Sequence, residues 1–189
     1  AMASVIQLFS VRPDASRPQL SLTADAGNYN TTHIAAGLGA RTGPIEYSVF
    51  GSRLHTDNRE PNNESTIRTW SGNVTKWTKA GASARLLGRG ELGRSGVPGA
   101  TAFGRPDLDA FFRHRDASVL GGWNQPLGSR MTQQTSYSYS VSDQRSTNLV
   151  ADPPYTPTFG GLIAGFPSSD FLYDSQTELQ RHHFVYRGD

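Results

Sequence analysis

From Thr135 onward the chain alternates with little interruption: Tyr137, Tyr139 and Val141 fall on one side, Ser136, Ser138, Ser140 and Ser142 on the other. A period of two places the two sets on opposite faces of a β-strand, one apolar and one polar. The run is long, because strands of water-soluble proteins usually have ~5–6 residues. A tilted strand of ~9–11 residues crosses a bilayer. With the apolar set outside and the polar set facing a lumen, such strands build a transmembrane β-barrel.

The same pattern recurs. Val5, Ile6, Leu8 and Phe9 mark a short apolar strand, ended by Arg12-Pro13 and Arg17-Pro18. Leu20, Leu22, Ala24 and Ala26 alternate with Ser21, Thr23, Asp25 and Gly27, and Ile34, Ala36, Leu38 and Ala40 with small residues. Further strands are predicted over residues 45–57, 69–77, 84–93, 115–123 and 130–143, with another beginning at 179–186. About eight strands follow the first short one. Turn residues near 43, 81 and 128 make tight connections, whereas those near 60, 103 and 165 are long. Outer-membrane barrels show this asymmetry between their two ends. Tyr29, Tyr47, Trp70, Trp77, Trp123 and Tyr186 lie within or near strand ends, as the aromatic girdles of such barrels do.

Composition narrows the choice. The chain is 35% hydrophobic, and no run approaches the ~18 consecutive apolar residues of a membrane helix. A mean hydropathy of −0.51 does not argue against a barrel, whose strands are only half apolar. The 20 glycines and 11 prolines suit strands and turns better than long helices. Net charge is +2 and the arginines are scattered along the sequence, without the basic stripe of a nucleic-acid binder. There is no cysteine, so disulfides, thiol catalysis and Cys-ligated metals are excluded. The first residues carry no signal-peptide pattern, so an exported chain is expected to have been processed or to begin inside a longer protein.

Candidate chemistry is sparse. His33, His55, His114, His182 and His183 lack the helical spacing of a zinc site, and adjacent His182 and His183 point to opposite faces of a strand. No nucleophile elbow is found, so no enzyme is expected. Asp57, Glu60 and Glu64, with Asn58, Asn62 and Asn63, gather oxygen ligands on one loop, which calcium could use. Arg59 interrupts that set, and a solvated loop is the expectation; no metal or other cofactor is assigned. In the third long loop Phe159, Phe166, Phe171 and Tyr173 are candidates to cover a ligand. The alternative is that they pack against neighbouring loops.

Several segments in order resemble one family. Residues 5–9 resemble the last plug strand of TonB-dependent outer-membrane receptors. Residues 20–29, the stretch from Tyr47-Ser48 to Asp57-Asn58, and Ser71-Gly72-Asn73 are similar to the first barrel strands of their cobalamin-receptor-like members. Gly96-Val97-Pro98-Gly99 and Arg105-Pro106-Asp107-Leu108-Asp109 extend the likeness. It implies a plugged barrel of about 22 strands, of which this chain would supply a part. Residues 1–12 would be the end of the plug domain and linker, and 13–189 the N-terminal portion of the barrel. The resemblance further implies a bacterial outer-membrane location and uptake of a scarce bulky nutrient, cobalamin or an iron-siderophore. Its partners would be that nutrient, outer-membrane lipid and, through the plug, the TonB complex; no nucleic acid is expected. A soluble or cell-surface β-sandwich, for example a carbohydrate binder, is the competing expectation, with apolar faces packed on each other instead of on lipid.

Overall fold

The computed structural model describes residues 17–105, 107–128 and 130–188. The expected plug strand and linker at 1–12 lie outside them. Eight long strands form one antiparallel sheet: β1 (Gln19–Gly27), β2 (Thr31–Thr42), β3 (Ile45–Thr56), β4 (Ser65–Trp77), β5 (Ser83–Gly96), β6 (Phe111–Leu127), β7 (Met131–Asn148) and, after a small hairpin, β10 (Tyr173–Gly188). The hairpin pairs β8 (Thr158–Phe159) with β9 (Leu162–Ile163). Each long strand pairs only with its neighbours in sequence, giving the order β1-β2-β3-β4-β5-β6-β7-β10. This is the expected up-and-down meander. The sheet is not closed, and β1 and β10 form its two edges.

The connections follow local chemistry. Gly43 (φ 57°) and Pro44 join β2 to β3 in a two-residue turn. The first central position needs positive φ, which glycine supplies, and proline suits the next. Residues 78–82 and 128–130 close the same end of the sheet. Residues 28–30, 57–64, 97–110 and 149–172 lie at the other end, and their lengths rise along the chain.

Most strands extend beyond their predicted limits. β6 begins at Phe111 instead of Arg115, β4 at Ser65 instead of Thr69, and β10 at Tyr173, within what the sequence presents as loop. Apolar-polar alternation stops where both faces become polar, while backbone pairing continues. Arg113 pairs with Arg145 and Arg115 with Asp143 above the last apolar position.

Register sorts every side chain onto one of two faces. Phe50 on β3, Ser71 on β4, Ser118 on β6, Ser140 on β7 and Leu179 on β10 line one hollow, so their face is concave. The opposite, outward face carries three consecutive cross-strand rows without a single Asp, Glu, Lys or Arg. One runs Leu22, Ala36, Gly51, Trp70, Gly90, Ala117, Val141, Gln180. The next runs Leu20, Leu38, Val49, Gly72, Gly88, Val119, Tyr139, His182. The third runs Ala40, Tyr47, Val74, Leu86, Gly121, Tyr137, Phe184. Trp70 fits its row because Gly90 opposite has no side chain; a Cβ there would lie 2.4 Å from the indole.

The sheet buries little apolar surface. Among the described residues the buried hydrophobic side chains are Ala35, Ala40, Ala82 and Ala110, and the largest fully buried ones are the polar Asn148 and Thr147. Leu22 is 74% exposed and Phe184 66%. The chain exposes 13,596 Å² at 20.5 kDa, against about 8,900 Å² for a compact monomer of that mass. Among the described residues the sheet has no core of large apolar side chains.

Of the aromatic residues expected as girdles, Tyr47, Trp123 and Tyr186 do sit on the outward face near the tight-turn end. Trp70 lies in the loop-side row of the apolar belt, next to the row of Arg53 and Arg68. Trp77 points to the concave side, with the Arg41 guanidinium 5.4 Å from its ring centroid. Its position at the strand end cannot reveal its face; register does.

Candidate ligand-binding end of the sheet

The loop end is held together by polar side chains of the loops themselves. Asn62 donates through Nδ2 to the carbonyls of Ala110 (2.8 Å) and Val97 (3.3 Å), tying loop 57–64 to loop 97–110. Asp107 Oδ1 accepts from the backbone N–H groups of Asp109 (3.0 Å) and Ala110 (2.8 Å), folding the end of loop 97–110 back onto β6. Asp109 Oδ2 accepts from the N–H groups of Leu149 and Val150, at the start of loop 149–172.

Asn148, at the top of β7, is the centre of this network. Its Nδ2 lies 2.8 Å from Asp107 Oδ2, 2.9 Å from Asp170 Oδ1 and 3.1 Å from the Phe171 carbonyl. Three acceptors thus surround a group with two hydrogens. Oxygens of Asp107, Asp152 and Asp170 converge within 4.8 Å of one another. Arg105 supplies positive charge beside them: it pairs with Asp152 (3.1 Å), donates to the Pro153 carbonyl and lies 5.4 Å from the Tyr155 ring centroid. The cluster reads as an ion-paired clasp between the two longest loops.

The N–H of Asp152, donated to the Asp170 carboxylate, is the main reason that this group stays below its ordinary pKa of 3.8. The Phe171 N–H, Asn148 and the Arg105 charge act the same way, against a partial burial effect. A depressed carboxylate stabilises the fold fully above its unfolded pKa and ceases to do so as pH falls through its folded pKa. Hydrogen exchange in residues 149–172 is therefore expected to stay slow from neutral pH down to about pH 4. Protection should fail only below 3.8.

The four aromatic candidates do not form one pocket. Phe159 lies 5.8 Å from Phe103, and Phe171 stacks on Tyr173 at 6.2 Å. Phe166 is exposed, and among the described residues no ring packs on it. Nor are they buried against other loops: Phe159, Phe166 and Phe171 stand open, together with Phe103, Leu162 and Ile163. Sequence reading missed Phe103, which sits on a short 3₁₀ turn (Thr101–Phe103) of the other long loop. An apolar residue within a loop was its only signal.

No protein-family model, curated protein or solved structure matches this chain.

Below the loops the concave face is polar. Ser52, Thr69, Glu91, Asp116 and Ser142 follow one another in a single row, and Ser71, Arg89, Ser118 and Ser140 in the next. His114 Nε2 lies 2.8 Å from Glu91 Oε1, and Asp116 completes a close group of three. The imidazole can lean toward Glu91 because Gly93 stands opposite; a Cβ at 93 would meet the ring at 1.9 Å. Sequence spacing could not show this group, since only the β5–β6 register brings Glu91 to Asp116. By contrast, the oxygen-rich loop 57–64 does not converge. Asp57 turns to His55 (3.1 Å), Asn58 donates to the Asn63 carbonyl, and Asn62 holds the next loop. This end of the sheet combines exposed apolar loop tips with a polar hollow beneath them.

Proposed function

We propose that this chain is part of the wall of a transmembrane β-barrel in a bacterial outer membrane, of the TonB-dependent receptor type. In that role it takes part in uptake of a scarce bulky nutrient, cobalamin or an iron-siderophore. The observation that carries the membrane reading is the belt of three charge-free outward rows on an eight-stranded meander whose concave face is polar. On β4 the belt lies between Lys76 and Arg68. The eight steps from Arg68 to Lys76 span about 26 Å along the strand and about 20 Å along the membrane normal at the usual tilt. Long basic side chains reaching outward from both borders bring this close to the ~25 Å apolar band of outer-membrane barrels. A sandwich would need a second sheet on the apolar face. Among the described residues the β-pairing outside the main sheet is the two-residue β8–β9 ladder and the Tyr155–Ser168 bridge.

The receptor type rests on the ordered sequence resemblance. In that reading the loops with Phe103, Phe159, Phe166 and Phe171 capture the nutrient, and the TonB complex provides energy by pulling on a plug. No bond is made or broken. Fractionation is the test: the protein is expected in membranes, released only by detergent, with gel mobility that changes on heating. Tryptophan fluorescence would then be titrated with cobalamin and ferric siderophores, and uptake compared with and without a functional TonB complex. A soluble folded monomer would overturn the membrane reading. TonB-independent uptake would overturn the receptor type alone.

A further inference from the structure

Two cross-strand rows lie directly above the apolar belt on the outward face, at the loop end. One runs Arg53, Arg68, Leu92, Arg115, Asp143, Glu178, and the next His55, Thr66, Arg94, Arg113, Arg145, Gln176. Arginines scattered through the sequence are thus gathered on one strip by register. The strip is uneven in charge. Toward β7 and β10 it is self-neutralised: Arg115 faces Asp143, and Arg145 binds Asp174 at 2.6 and 2.8 Å. From β3 to β6 the two rows hold five arginines and no carboxylate.

Arg53 stands directly opposite Arg68, and Arg94 opposite Arg113. Like charges in that position repel and destabilise a sheet. Among the described residues none of these four makes a salt bridge. Arg53, Arg68 and Arg94 are exposed, and Arg94 is braced at 4.6 Å over the Phe111 ring. A bridging anion would turn each repulsive pair into a two-sided clamp. A guanidinium fork fits phosphate oxygens in pairs, so arginine in place of lysine favours a phosphate.

Depth selects the source of that phosphate. The lower of the two rows is one position above the last charge-free row, about 7 Å along the strand. If the belt lies in hydrocarbon, the arginines lie at the level of lipid headgroups. We propose that Arg53, Arg68, Arg94 and Arg113 form a binding strip for anionic, phosphate-bearing lipid headgroups in the leaflet on the loop side. The proposal rests on the membrane reading and adds a partner to it.

Native mass spectrometry of the detergent-extracted protein, titrated with phosphatidic acid or phosphatidylcholine, tests it. Phosphatidic acid is expected to bind at least about tenfold more tightly. The double variant R53Q/R68Q should lose about tenfold or more of that affinity, with phosphatidylcholine unchanged. R94Q/R113Q should behave likewise, which guards against misfolding of one variant. R85Q, on the concave face, should bind as the parent does. Equal affinity for the two lipids, or a preference that survives both double variants, would overturn the strip while leaving the membrane reading intact. Competition by inorganic phosphate as strong as by phosphatidic acid would overturn the lipid as its ligand. Recovery of the protein only as a soluble species would overturn both.

Discussion

Arginine in place of Val119 is expected to destabilise the heat-modifiable folded band by about 2–4 kcal/mol, whereas arginine in place of the adjacent Ser118 leaves it unchanged. Val119 is in the middle charge-free row, between Gly88 and Tyr139, and Ser118 lines the concave hollow beside Arg89. A lipid-facing arginine at the midplane of a barrel costs about 2–4 kcal/mol. That is a large part of the ~5–15 kcal/mol by which folded proteins are stable. If the same face met water, Val119→Arg would change stability by no more than about 0.5 kcal/mol. The two readings therefore differ by several kilocalories at one position. Urea titration of both variants in the same detergent gives the number, and equal stability would remove lipid from the outward face.

The second large effect is expected at Asn148. Replacing it with leucine keeps its branched outline but removes the donor shared by Asp107 and Asp170. Two carboxylates that converge within 4.8 Å at the clasp would then face each other with only Arg105 to compensate. Asp107 Oδ2 would lose its donor, at about 1–3 kcal/mol, while Asp170 Oδ1 still accepts from the Phe171 N–H. The loss should be local, because the clasp sits above the paired strands. Protease cleavage within residues 149–172 is expected to rise by an order of magnitude or more at unchanged mobility of the folded band. Affinity for the proposed nutrient should fall with it, since the loop carries Phe159, Phe166 and Phe171. Unchanged cleavage would show that the loops are held by other contacts.

Both variants bear on what could be read from sequence. The Tyr137–Val141 alternation, the tight turn at Gly43-Pro44 and the contrast between short and long connections are local signals, and each corresponds to a feature of the sheet. The upper parts of β4, β6 and β10 were not legible, because alternation disappears once both faces of a strand are polar. Arg113, His114 and Arg115 look like the edge of a loop until pairing with β5 and β7 places them in register. The clasp was invisible for another reason. Asp107 and Asn148 are far apart in sequence, and neither spacing nor residue type announces their contact. Of the aromatic candidates, Phe159, Phe166 and Phe171 are exposed loop residues, whereas Tyr173 is half-buried at the start of β10. Phe159 pairs with Phe103 and Phe171 with Tyr173, which depends on loop paths that no periodicity encodes.

The order of strands has a kinetic side. Every long strand touches only the strands before and after it, so no contact in the sheet waits for a distant segment to arrive. Topologies of this kind have low contact order and avoid the loop-closure entropy that slows sheets with remote pairings. Each finished hairpin offers its free edge as the template for the next strand, and the sheet can grow like a zipper from either end. A defect in a central strand such as β5 would then halt growth at that point instead of weakening the whole. Such a stalled sheet would leave its completed hairpins paired up to the break.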